Sequence, residues 1–145
     1  LVTVAARWRD WADPRFVICV LNNRDLAEVS WEQREMEREP RFATSQQLPD
    51  VPYAGYAELL GLGGVRVTSA DDLPAAWDAA LAADRPFVID AVTDPAIPLL
   101  PPGRPFDKVE GMYQGLAAEP GETARRAEAH LRRERADEGY DDPAD

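Results

Sequence analysis

Cysteine and histidine are nearly absent from this sequence: Cys19 and His130 are the single examples of each. One cysteine excludes an internal disulfide and fits a reducing cytoplasm, the expected location. His130 stands alone in a charged stretch and reads as a surface residue. Basic residues are scarce too, 16 against 27 acidic ones, for a formal net charge of −11. Nucleic acid and anionic lipid would both repel such a chain, so neither is expected as a partner. No apolar run approaches the roughly 18 to 20 residues of a membrane span, and no signal peptide is visible. A phosphate-cradling glycine loop is also missing, because Gly61-Leu62-Gly63-Gly64 joins a helix to a strand, the reverse of the order required. Ser30, Ser45 and Ser69 have no paired base in view. The opening, Leu1-Val2-Thr3-Val4, offers no methionine and no helix cap. Leu1, Val4, Trp8 and Trp11 already follow helical spacing, so the chain is expected to be a piece of a longer polypeptide.

The 145 residues that are present can bury a core, with 45% hydrophobic and 30% charged side chains. A helix over residues 1–12 should end before Asp13-Pro14, since the residue before proline avoids helical geometry. Phe16 to Leu21 is continuously apolar, the pattern of a central parallel strand buried on both faces, and Cys19 within it reads as core. A helix over 26–38 and a loop over 39–48 follow. Asp50 and Pro52 introduce a helix with Tyr53, Tyr56, Ala57 and Leu60 on one face and Gly61 as its stop. Gly64 to Val67 is a short strand, Leu73 to Leu81 a helix entered through Ser69–Asp72, and Phe87 to Val92 a third strand. This order favours a parallel sheet with helices on both faces, an α/β fold. Five prolines between Pro95 and Pro105 predict an extended surface segment. A short helix with Val109, Met112 and Tyr113 comes next. Residues 122–138 read as a solvated, charge-paired helix with a thin stripe of Ala124, Ala127 and Leu131, ahead of a frayed acidic end. The division expected is therefore 1–95, 96–118 and 119–145.

The chemistry concentrates at Asn22-Asn23, which ends the first strand at the carboxyl edge where open α/β sheets bind ligands. Asparagine and backbone oxygens suit magnesium, a hard cation that commonly bridges protein to phosphate. Paired asparagines are also common turn formers. Glu28, Glu32 and the other carboxylates of the following helix read as a solvated face. The four tryptophans read as packing rather than as a binding box.

Val20-Leu21-Asn22-Asn23-Arg24-Asp25-Leu26 resembles the second half of the thiamine diphosphate motif, which runs from Gly-Asp-Gly to Asn-Asn. Two later runs, from Tyr56 to Val67 and from Leu81 to Pro95, resemble the same enzymes. Pro101-Pro102 and the segment from Asp107 to Leu116 look like the tail of pyruvate oxidases and quinone-linked pyruvate dehydrogenases. The sequence is thus similar to the family of thiamine-diphosphate-dependent enzymes that includes these and acetolactate synthase. The resemblance implies part of a Rossmann-like thiamine-diphosphate-binding fold. It makes Asn23 a magnesium ligand through its side chain and Asp25 one through its backbone carbonyl. Asn22 would support the loop and the diphosphate, and Leu26 and Ala27 would lie beside the cofactor. The parent enzyme would act on a 2-oxo acid such as pyruvate, with decarboxylation and then oxidation or carboligation. It would be a homo-oligomer, dimer or tetramer, and FAD is a candidate further cofactor of that parent enzyme. The Gly-Asp-Gly half and the pyrimidine-binding domain are not in these residues, so the chain alone is expected to be inactive. The competing expectation is a non-catalytic α/β interaction module that has lost its cofactor.

Overall fold

The computed structural model describes residues 1–99 and 106–137. Its elements in chain order are α1 (Val2–Arg7), β1 (Val17–Asn22), α2 (Ala27–Glu37), α3 (Ala43–Gln46), α4 (Tyr53–Leu59), β2 (Gly63–Val67), α5 (Leu73–Ala82), β3 (Phe87–Val92), α6 (Phe106–Ala117) and α7 (Glu122–Asp137). They fall into two compact units: one of residues 1–23 and 50–93, the other of residues 24–49 and 94 onward.

The first unit is the α/β layer structure expected from the strand and helix order. β1, β3 and β2 lie side by side in that order, all parallel, with Val17 and Gly63 both level with Phe87. Side chains alternate across the sheet with period two. Ile18, Val20 and Val88 pack against Leu1, Val4 and Trp8 at the start of the chain and against Tyr53, Ala57 and Leu60. Val65, Val67, Ile89 and Ala91 face the other way, onto Leu73, Ala76 and Ala80 of α5. Gly64 lets α4 approach closely, since a Cβ there would lie 2.5 Å from the Ala54 carbonyl oxygen. Asp13 and Arg15 close the turn after α1, and the Arg15 guanidinium holds the Asp13 carboxyl down at about 2.

Two expectations about this unit need correcting. β1 is an edge strand and β3 the central one, so the apolar run of β1 is not buried on both faces. Leu21 is 69% exposed and Cys19 is exposed rather than core. A run of apolar residues reports what a strand could bury, not which neighbours cover it.

In the second unit Trp31, Val109, Met112, Leu116, Ala124, Ala127 and Leu131 form one apolar core, to which Ala96 also belongs. The thin stripe of α7 is therefore buried, not solvated, while its arginines and glutamates face outward. The described part of the proline stretch is likewise anchored: Ala96 and Pro98 are buried and the Ala96 N–H donates to Asp94. Residues 100–105 and 138–145, including the expected frayed acidic end, lie outside the described residues. The expected loop over 39–48 contains α3, held by Gln46, whose side-chain oxygen accepts from the Phe42 N–H and whose nitrogen donates to Gln33.

No described helix is long and apolar enough to cross a membrane. Because Ala124, Ala127 and Leu131 are already buried, α7 has no apolar face left to enter lipid, which a membrane-surface helix needs. The full-length protein is expected to stay in the supernatant when anionic vesicles are sedimented at physiological salt. Pelleting that disappears when residues 119–145 are deleted would contradict this.

Candidate cofactor-binding site

β1 ends in the first unit with Asn22, a residue only 5% exposed. Its amide nitrogen donates to Asp90 Oδ1 at 2.9 Å and to the Val51 carbonyl at 3.2 Å. Both partners are acceptors, so the amide orientation is set by chemistry: nitrogen toward Asp90, oxygen away from it. The Asn22 carbonyl accepts from the Thr93 N–H, and the Asn23 N–H donates back to Leu21, which turns the chain off the sheet at its carboxyl edge. Arg24 then takes a left-handed backbone conformation, φ 58°, uncommon for a residue with a side chain and typical of a tight reversal.

In the second unit Asp25 pairs with Gln47 in an isolated antiparallel bridge. The bridge bonds run from the Leu26 N–H to the Gln46 carbonyl and from the Leu48 N–H to the Arg24 carbonyl. The Asp25 carboxylate is buried and committed within the unit. Ser30 Oγ donates to Oδ1 at 2.6 Å, and Arg41 forms an ion pair with Oδ2. Leu26 is 42% exposed, and Ala27 begins α2 and packs on the apolar core.

Asp90, Arg66 and Arg41 do not stand out in the sequence as site residues. For Asp90 a signal is present: it is the one charged residue in Phe87–Val92, a strand otherwise made of apolar side chains. Of the helix carboxylates, Glu28 and Glu32 are exposed as expected, whereas Glu35 is buried. Among the described residues no group of three or more His, Cys, Asp or Glu side chains could hold a metal ion. The donors at the strand end are amide and backbone oxygens, hard and neutral, which suit magnesium completed by phosphate oxygens better than a soft metal. With its carboxylate tied to Ser30 and Arg41, Asp25 fits a role through its main chain rather than its side chain.

Residues 12–91 match the family model described as "Thiamine pyrophosphate enzyme, C-terminal TPP binding domain". The chain belongs to that family. The matched span contains β1, β2, the asparagine pair and all of β3 but Val92. The "Putative thiamine pyrophosphate-containing protein YdaP" of Bacillus subtilis is 34% identical over 83 residues, 56% of this chain and 14% of that protein. The "Probable acetolactate synthase large subunit" of Methanocaldococcus jannaschii is 28% identical over 107 residues, 72% of this chain and 17% of that protein. The thiamine pyrophosphate-binding domain seen here is thus a small share of the length of these relatives.

Proposed function

We propose that this chain anchors the diphosphate and magnesium of thiamine diphosphate in an enzyme acting on a 2-oxo acid such as pyruvate, by decarboxylation with oxidation or carboligation. The observation that carries the proposal is the Asn22-Asn23 pair at the carboxyl edge of a parallel strand, inside the span that matches the family. Asn23 would hold magnesium through its side-chain oxygen and Asp25 through its backbone carbonyl. Asn22, locked by Asp90 and Val51, would shape the strand end that supports the diphosphate. Leu26 and Ala27 would border the cofactor. When bound, thiamine diphosphate supplies the electron sink for decarboxylation. The residues of this chain bind and orient; the proton transfers belong to other parts of the enzyme. Similarity to an acetolactate synthase supports a 2-oxo acid as substrate, and a homo-oligomeric assembly is part of the same reading.

The test compares Asn23→Ala with Asn22→Ala in the full-length protein, with thiamine diphosphate binding measured by calorimetry at saturating magnesium. Asn23→Ala should weaken binding by about 100-fold, the scale of a lost direct or supporting metal interaction. Asn22→Ala should cost about tenfold, the scale of one buried hydrogen bond. Equal losses would overturn the division of roles. A wild-type protein that binds no thiamine diphosphate would overturn the proposal.

A further inference from the structure

The face of the sheet that carries Ile18, Val20 and Val88 changes character at its carboxyl end. There Asn22 on β1, Asp90 on β3 and Arg66 on β2 share one face: Arg66 is level with Asp90, and Asn22 stands two residues beyond Val20, the residue of β1 level with Asp90. Asp90 is in the middle and fully buried at 0% exposure. Its Oδ1 accepts from Asn22, and its Oδ2 lies 3.6 Å from Arg66 Nη1, too far for a hydrogen bond, with no hydrogen-bond partner among the described residues. Arg66 is held from outside by Asp50, whose two oxygens lie 2.8 and 2.9 Å from Arg66 Nη2.

We infer that Asp90 is a positioning residue for cofactor binding: it fixes the orientation of the Asn22 amide and, through it, the strand end from which Asn23 projects. The inference rests on the reading proposed above. The need for a carboxylate follows from what flanks it. Asn22 presents an N–H on one side and Arg66 a guanidinium on the other, so the middle position must accept on both. A carboxylate does; an amide does not, because one of its two ends is itself a donor. Asp90→Asn would therefore set donor against donor, either at Asn22 or at Arg66. Arg66 is permanently charged, so the substituted amide turns its oxygen to Arg66 and its nitrogen to Asn22, and the Asn22 amide must flip or swing away. A carboxylate kept in a fully buried site is costly unless it is paired and hydrogen-bonded. An apolar strand interior would have been the simpler solution for stability alone.

The conflict predicts its own cure. With Arg66 replaced by methionine, the donor on that side is gone, so the substituted amide can turn its nitrogen there and offer its oxygen to Asn22 again. The experiment measures thiamine diphosphate binding at saturating magnesium and the melting temperature without cofactor, in the full-length protein and in D90N and D90N/R66M. D90N is expected to bind about tenfold more weakly, the scale of one misdirected buried hydrogen bond. D90N/R66M should return to within about threefold of wild type, because the donor–donor conflict is removed while the Asn22 contact is rebuilt. D90N that binds like wild type, or a double variant no better than D90N, would overturn the inference. So would weaker binding that merely follows the unfolded fraction reported by the melting temperature. Because wild type is measured in the same series, a wild type that binds no cofactor marks failure of the functional reading instead, and the inference falls with it.

Discussion

Replacing Glu119 by alanine in the full-length protein should destabilise the second unit by about 3–5 kcal/mol, the cost of stranding a buried charge. Glu119 precedes α7, and its carboxylate closes a buried network. Oε1 accepts from Arg34 Nε at 2.6 Å and from the Arg41 N–H at 2.9 Å, and Oε2 accepts from Arg34 Nη2 at 3.0 Å. The Arg34 and Glu119 side chains are 6% and 7% exposed. The Arg34 guanidinium also stacks 4.6 Å over the Trp31 ring, which fixes its plane for a two-point contact. Without Glu119 that guanidinium stays buried with only an aromatic face beside it. The effect should be read from the urea midpoint of the transition that quenches Trp31 fluorescence. The control is the double variant R34M/E119L, which removes both charges and should lie much nearer to wild type. Alanine at position 119 costing under about 1 kcal/mol would mean that this pair behaves like an exposed one.

The second large effect is expected at the crossing of α2 and α6. Gly111 and Gly115 stand one helical turn apart, and both meet the end of α2 and the residues just beyond it. A Cβ at Gly111 would lie 2.4 Å from the Glu35 carbonyl oxygen, and one at Gly115 would lie 2.8 Å from that of Glu39. Helix propensity by itself favours alanine over glycine, by about 1 kcal/mol. Backbone cannot rotate aside as a long side chain can, so the two helices must separate and loosen Trp31, Met112 and Leu116. Overpacking of this kind costs about 1–3 kcal/mol beyond any propensity gain. Gly111→Ala should therefore lower the melting temperature of the full-length protein by several degrees. A melting temperature equal to or above wild type would show that propensity wins and that the close approach is not needed.

How much of this is legible in the sequence depends on what each feature rests on. The strands announce themselves through apolar runs and the helices through their spacing, so the α/β order is readable. The Asn22-Asn23 pair stands out because it interrupts an apolar strand at its end. Its partners do not, since Asp90 and Arg66 come to lie near Asn22 on one sheet face only because β3 enters between β1 and β2. No local pattern specifies that strand order. Cys19 and Leu21 mislead for the same reason: their apolar character is local, whereas their exposure depends on β1 lying at the edge. α7 misleads in the opposite direction. Three small or aliphatic residues among many charges look too few to bury, yet Ala124, Ala127 and Leu131 suffice where α6 offers a close surface. The network of Asp25, Arg41, Glu119 and Arg34 is invisible in sequence because charged side chains usually stay in water.

The parallel pairing of β1 with β3 has a consequence for synthesis. Among the described strands, β3 is the shared neighbour of β1 and β2, and it is made after both. At roughly 5–20 residues per second, β3 follows β1 out of the ribosome by on the order of several seconds. Only when β3 inserts does the Asn22 amide meet Asp90, so the strand end proposed to anchor the cofactor takes its shape from a residue made 68 positions later.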